Sequence, residues 1–239
     1  MEFTNSYEDE LRAKEYSRLE FHNTYYLAFR DLPEIFTKYV KGKNAVDFGC
    51  GTGRSTRFLQ KYGFSTTGID ISKEMIKIAK ENDKNGKYLL VEDGNYDELK
   101  QYSYDLVLSA FTFDNIPMEN KIEIFSKLKS ILNKDGILIN LVCSPEIYFN
   151  EWTSFSTKNF PENKKLKTGS IVKIITTDFN DSRPCYDILC FDKDYKKIFK
   201  KTKLNLIDTY RPLAKLDEPY KWINETKIAP WTIYVLKRK

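Results

Sequence analysis

The sequence predicts an α/β domain built on a doubly wound, mostly parallel sheet with helices on both faces. Three observations carry that expectation. Short β-rich runs alternate with segments of helical periodicity between residues 44 and 143. No tight hairpin signal joins successive runs, so the strands return through helical crossovers and pair in parallel. Right-handed crossovers then put helices on both sides of the sheet. A glycine-rich segment, DFGCGTG, stands where the first strand meets the first helix, at the edge where open parallel sheets bind ligands.

The elements follow in order. Residues 8–30 read as a helical lead-in rich in aromatics, among them Tyr16, Phe21, Tyr25, Tyr26 and Phe29. Pro33 suits the first turn of a further helix, Ile35, Phe36, Tyr39 and Val40 give it an apolar face, and Gly42 can cap its end. Asn44–Phe48 is a short buried strand, and the helix opened by GCGTG carries Phe58 and Leu59. A second strand, Ser65–Ile69, ends at Asp70; Ser72 caps the next helix, whose inward face is Met75, Ile76 and Ala79. Lys87–Val91 is a third strand, ending at Glu92-Asp93-Gly94, and Tyr104–Ala110 is a fourth. Ile122, Phe125, Leu128 and Leu132 are the core side of another helix, after which Asp135-Gly136 turns into a fifth strand, Ile137–Val142.

The pattern changes near residue 144. An aromatic, polar stretch leads to two β-like runs, IVKIITTDF and CYDILCF, joined by NDSRP. A helix from Asp192 and strands at LNLIDTY and PWTIYVLK resume the regular pattern. We read one domain over 1–239: a helical lead-in at 1–42, a ligand-binding core at 44–143, an insertion over the strand ends at 144–190, and the C-terminal part of the sheet at 191–239.

Composition narrows the class. Hydrophobic residues make up 41% of 239 residues, enough for a full core, and charged residues make up 31%. No apolar run approaches the roughly 18–20 residues that cross a bilayer. The N-terminal stretch has no apolar segment of the kind that marks a secretory signal, so the expected location is the cytoplasm. Cys50, Cys143, Cys185 and Cys190 lack metal-ligand spacing, and His22 is the single histidine, which argues against structural zinc and against any metal site. The net charge of +5 is a mild bias. In the densest basic stretch, Lys193–Lys203, Tyr195, Ile198 and Phe199 fall at i, i+3, i+4, so the lysines form the solvated side of a helix rather than a nucleic-acid platform.

The ligand follows from the strand ends. Asp70 lies 21 residues after Gly49, and Asp93 lies 23 residues after Asp70. A carboxylate ending the second strand can accept from both hydroxyls of a ribose, and an acid ending the third from the amine of adenine. A dinucleotide fingerprint wants a third small residue at position 54, where Arg54 stands; the glycine comes one residue early, at Gly53. Asp47, two residues before the first glycine, suits a cofactor carrying an ammonium group.

These motifs in this order (DFGCGTG, GIDIS, EDG and YDLVLSAFTFDNIP) resemble the class I S-adenosylmethionine-dependent methyltransferases over residues 44–143. The resemblance implies a Rossmann-like sheet with an antiparallel last strand, which PWTIYVLK supplies. It implies that Gly49, Gly51 and Gly53 line the methionine part of S-adenosyl-L-methionine, that Asp70 holds the ribose, and that Asp93 and Gly94 hold the adenine. Ile71 and Met75 would pack on the adenine face, and Cys50 and Ser109 join the candidate cofactor residues.

The donor methyl is already activated on sulfur, so the protein supplies alignment and exclusion of water, with a base only where the acceptor must lose a proton. Candidates for that role are Asp114, Glu151 and His22, with Phe111, Phe113, Asn115, Tyr148 and Trp152 nearby; Tyr16, Tyr25, Tyr26, Trp152, Phe155, Trp222 and Trp231 are candidate pocket walls. The expected activity is methyl transfer to oxygen or nitrogen of a small-molecule acceptor by a monomer or homodimer, with no nucleic acid and no membrane as partner. Methylation of RNA or protein, a non-catalytic module that binds the same cofactor, and a nicotinamide dehydrogenase are the alternatives.

Overall fold

The computed structural model describes residues 10–92, 95–178 and 180–239, with side chains from Arg12 onward. A seven-stranded sheet runs in the order β3-β2-β1-β4-β5-β10-β9. Its strands are β1 Asn44–Phe48, β2 Ser65–Asp70, β3 Lys87–Leu90, β4 Tyr104–Ala110, β5 Leu132–Cys143, β9 Leu204–Tyr210 and β10 Trp231–Arg238. The first five pair in parallel, and β10 lies antiparallel between β5 and β9. Strand order reverses at β1 and β4, the switch point at which such sheets open a crevice.

Alternation along the strands sorts the core into two layers. Ala45, Leu106, Leu108, Ile139, Leu141, Ile233 and Val235 face helices α2 Thr24–Arg30, α3 Leu32–Tyr39 and α4 Arg54–Lys61. Val46, Val107, Leu138, Tyr234 and Leu236 face α6 Met118–Ile131 and α7 Asp192–Lys201. On that second side Phe113 stacks on Phe125 with ring centroids 3.9 Å apart and planes 7° from parallel. Ile76 and Ala79 of α5 Lys73–Asn82 pack with Cys50 and Tyr88 beside β2 and β3.

Several sequence readings shift. The lead-in is two helices, α1 Glu10–Tyr16 and α2, because Asn23 takes a left-handed φ of 53° that redirects the chain before Thr24. Val40, not Gly42, ends α3; Gly42 instead lacks a Cβ because one there would sit 2.2 Å from the Asp105 carboxylate, which accepts from Asn44 N–H. Leu132 is the first residue of β5 rather than part of the preceding helix, since it turns extended and pairs with Tyr104. Asp135 and Gly136 lie inside β5, at a register shift against β4 between Tyr104 and Leu106.

The stretch after β5 forms a small antiparallel sheet of β6 Phe155–Ser156, β7 Ile171–Thr176 and β8 Cys185–Ile188. Its apolar residues Phe155, Val172, Ile174 and Leu189 share one core with α2 and with Trp231. Among the described residues no helix is long and apolar enough to cross a membrane.

A single carboxylate ties these layers at the top. Glu225 is fully buried and accepts from the Thr24 hydroxyl at 2.7 Å and from the backbone N–H groups of Thr153, Ile223 and Asn224 at 2.7, 2.8 and 3.0 Å. It thus pins α2, the small sheet and the loop before β10 to one point. Removing a charged acceptor from several buried donors costs about 3 kcal/mol. Glu225→Ala is therefore expected to lower unfolding free energy by about that amount in urea titrations, and to expose the 150–180 region to limited proteolysis.

Candidate active site

The turn from β1 into α4 is built from left-handed backbone: Gly49, Gly51 and Gly53 have φ of 70°, 52° and 84°. Gly49 is required twice over, because a Cβ there would also lie 2.2 Å from the Thr112 side chain. Four N–H groups of this turn are bonded inside the protein. Gly49 and Cys50 donate to the Ile69 carbonyl, Gly53 to the Cys50 carbonyl, and Gly51 to Asp70 Oδ2 at 2.8 Å. Asp70 Oδ1 accepts from Ser72 N–H at 2.8 Å. One side chain at the end of β2 therefore clamps the turns after β1 and β2 together.

Beneath this clamp lies a cavity of about 330 Å³. Gly49, Gly51, Asp70, Ile71 and Met75 line it, as do Tyr16, Phe48, Ile69, Val91, Tyr96, Phe111, Thr112 and Asn115. Most of the wall is apolar. Asp70 is the one charged residue among the lining residues, and no lysine, arginine or histidine joins it. Burial pushes the Asp70 carboxyl up, and the Ser72 and Gly51 N–H groups pull it back down. With two of its roughly four acceptor sites used, a carboxylate keeps capacity for two more donors.

The other sequence candidates fall elsewhere. Asp47 is wholly buried behind the glycine turn, on the face of β1 opposite Phe48. It accepts from Ser55 and Thr56 at 2.7 and 2.6 Å, fixing the first turn of α4. Burial pushes its carboxyl up to about 6 against those two hydroxyls. It lines neither of the two cavities at this site. Cys50 is buried against α5, and Gly53 approaches Tyr88, where a Cβ would lie 2.7 Å from its hydroxyl. Ser109 is fully buried within the sheet, with no hydrogen-bond partner for its Oγ among the described residues. Glu151 is bonded to Ser156 and Thr157 and braces its own loop, while His22 is exposed; neither lines a cavity. Asp93 and Gly94 lie outside the described residues; Val91 and Tyr96 on either side of them line the first cavity.

A second cavity of about 50 Å³ adjoins the first, sharing Tyr16, Phe111 and Asn115 with it. Asp114 enters it from the turn after β4, with Asp187 of β8, Cys143, Thr176 and Cys185 around it. Tyr25, Phe155 and Trp231 wall it, with ring centroids 5.3–5.8 Å apart, and Phe111 closes on Trp231 at 4.9 Å. Phe111 is held at φ 65°, a strained setting for a bulky residue, and its N–H donates to the Leu141 carbonyl at 2.8 Å. Trp152, a sequence candidate for this wall, is buried in the insertion instead and donates to the Ile147 carbonyl. Tyr148 reaches the cavity only through its hydroxyl bond to Asp187.

Asp187 escaped the sequence reading, although a signal was there. Cys185, Asp187 and Leu189 share a face of a β run, so an acid stands where alternation calls for an apolar residue. Thr112 and Tyr96 carried no comparable signal, since their roles come from turns that close only in three dimensions.

Residues 46–140 match a family model described as a methyltransferase domain. An uncharacterized protein of Methanocaldococcus jannaschii is 33% identical over 176 residues, 71% of this chain and 64% of that protein. An uncharacterized methyltransferase of Alkaliphilus oremlandii is 24% identical over 133 residues, 50% of this chain and 60% of that protein. The chain thus spans somewhat under two thirds of these two curated relatives. A crystal structure of an S-adenosylmethionine-dependent methyltransferase from Clostridium acetobutylicum superposes with a TM-score of 0.63 at 14% identity, covering 97% of this chain and 96% of that one. Residues 46–140 are thus similar to a methyltransferase domain, and the chain shares the fold of that S-adenosylmethionine-dependent methyltransferase.

Proposed function

We propose that this protein transfers a methyl group from S-adenosylmethionine to nitrogen or oxygen of a small molecule. The observation that carries the proposal is the pair of adjoining cavities that share Tyr16, Phe111 and Asn115. A large apolar cavity with one carboxylate suits a donor that has a flat base, a ribose and no phosphate. A small, deeply buried one beside it suits the reacting end of an acceptor.

The residues present fit that donor. Asp70 has acceptor capacity for ribose hydroxyls, and Ile71, Met75, Val91 and Tyr96 offer an apolar slot for adenine. The methionine part would lie along Gly49 and Gly51, where a side chain would fill the space. A dinucleotide fits poorly, because Arg54 stands where its fingerprint needs a small residue and the Gly51 N–H is already bonded to Asp70. Bound in this way, the cofactor supplies a sulfonium methyl that needs no further activation.

The protein's part is geometric. Phe111, Tyr16 and Asn115 set the line between the two cavities, and the buried aromatic wall keeps water off it. Asp114 sits where it can orient an acceptor or take its proton, whereas Glu151 and His22 do not line this cavity. Residues 144–190 supply Ile147, Phe155, Ile174, Thr176, Cys185 and Asp187 to the second cavity, so the insertion serves as its cover.

Calorimetric titration is expected to show binding of S-adenosylmethionine and S-adenosylhomocysteine, and none of NAD; the reverse preference would remove the proposal. Asp70→Ala is expected to weaken S-adenosylhomocysteine binding roughly 10- to 100-fold, the loss of about 1.5–3 kcal/mol that goes with removing a charged acceptor. The variant's melting temperature without ligand should fall only modestly. Unchanged affinity would take Asp70 out of the site.

A further inference from the structure

The second cavity holds two acids in an aromatic setting, and their bonding says what they await. Asp114 and Asp187 are 5% and 8% exposed, and both line the cavity. Asp114 accepts from Cys143 N–H through Oδ2 at 3.0 Å, and Asp187 accepts from the Tyr148 hydroxyl through Oδ2 at 2.9 Å. The Cys143 thiol also bonds Asp114, and among the described residues neither carboxylate forms an ion pair. Lys121 is the buried cation whose charge acts on both acids, and it gives its ammonium to the Phe113 carbonyl; the Arg54 guanidinium lies on the outer side of the wall, against the Tyr16 and Tyr25 rings. Two acids thus face one lysine in a low-dielectric pocket, a cluster short of one positive charge.

The walls point the same way. Tyr25, Phe111, Phe155 and Trp231 present ring faces and edges around the space between the acids. Such rings attract a cation and give nothing comparable to a neutral hydroxyl. A buried carboxylate left without a counter-charge is costly, so a site built this way gains most from a ligand that brings one.

We propose that the acceptor is an amine that enters as its ammonium form, held between Asp114 and Asp187 under the aromatic wall, and that the reaction is N-methylation. This rests on the function proposed above. The steps balance. The ammonium gives one proton to a carboxylate of the pair, leaving a neutral amine with a lone pair and a carboxylic acid. That lone pair attacks the methyl carbon as the carbon–sulfur bond breaks, and the bond's electrons stay on sulfur. The products are the N-methylated ammonium and S-adenosylhomocysteine. Burial holds both carboxyls above the usual carboxylate range, and the Asp114 charge raises Asp187 further, which suits a proton acceptor near neutral pH.

The test uses the whole chain saturated with S-adenosylhomocysteine, titrated calorimetrically with two matched pairs: ethylamine against ethanol, and benzylamine against benzyl alcohol. At least one amine is expected to bind tenfold or more tightly than its alcohol. Asp187→Asn should erase that preference by at least tenfold, while S-adenosylhomocysteine affinity stays within twofold of the parent. With S-adenosylmethionine, mass spectrometry should find the N-methylated amine. Equal or tighter binding of the alcohols, binding of no amine, or an Asp187→Asn variant as selective as the parent would each overturn the amine proposal and leave the methyltransferase reading intact. Failure of S-adenosylhomocysteine itself to bind would instead overturn that underlying reading.

Discussion

The bridge made by Asp70 is the constraint on which the rest of the site depends. A parallel sheet ends in a row of turns, each with backbone N–H groups pointing at the crevice, and those groups ordinarily invite an anion. Here the Asp70 carboxylate reaches across from β2 and takes the Gly51 N–H while also holding Ser72. The anion at this crevice is therefore part of the protein. That choice disfavours a phosphate, closes the glycine turn without outside help, and leaves one carboxylate as the charge among the described lining residues of a largely apolar cavity. Hydroxyl donors become the natural partners of what remains.

Arg54 is the second such choice. It stands where a dinucleotide site needs a small residue so that the helix can approach the strand and the ligand can approach the turn. Instead it is 6% exposed, with its guanidinium 4.9 Å from the Tyr25 ring centre and 5.5–5.8 Å from those of Tyr16, Phe21 and Phe29. Its Nη1 donates to the Glu20 carbonyl. The residue that breaks one fingerprint thus gathers α1 and α2 over the strand ends. Tyr16 and Tyr25 reach the two cavities because Arg54 collects their rings.

These two residues show how far the sequence could be read. Strand and helix periodicity made β1 to β5, α4 to α7 and the antiparallel last strand legible, because each buries a regular face. Asp70 was legible for the same reason: a strand end and a polar residue there are both local facts. Asp47 misled, since an acid beside a glycine turn looks the same whether it faces a ligand or holds the helix behind it; only the pleat of β1 decides, and it turns Asp47 toward Ser55 and Thr56. Glu151 and His22 lie outside the two cavities because their placement depends on how an irregular segment folds back. Asp187 belongs to a cavity that the turn after β4 shares with β8 and β10, which start about 70 and 120 residues beyond that turn. No local pattern encodes such a meeting.

The strained corner at Phe111 ties fold to chemistry. A bulky side chain at positive φ costs of order 1–3 kcal/mol and persists only when its surroundings over-determine it. Here they do: its N–H is fixed to Leu141 in β5, and its ring is packed against Tyr25, Phe29 and Trp231. Those contacts come from three separate elements, so the corner cannot relax without loosening α2 and β10 together. The result is a wall shared by both cavities whose position is set by the core rather than by a loop. For an in-line displacement on a methyl that is already activated, a line of approach held that firmly is most of what a protein can contribute. The stability spent at Phe111 is returned as fixed geometry between the two cavities.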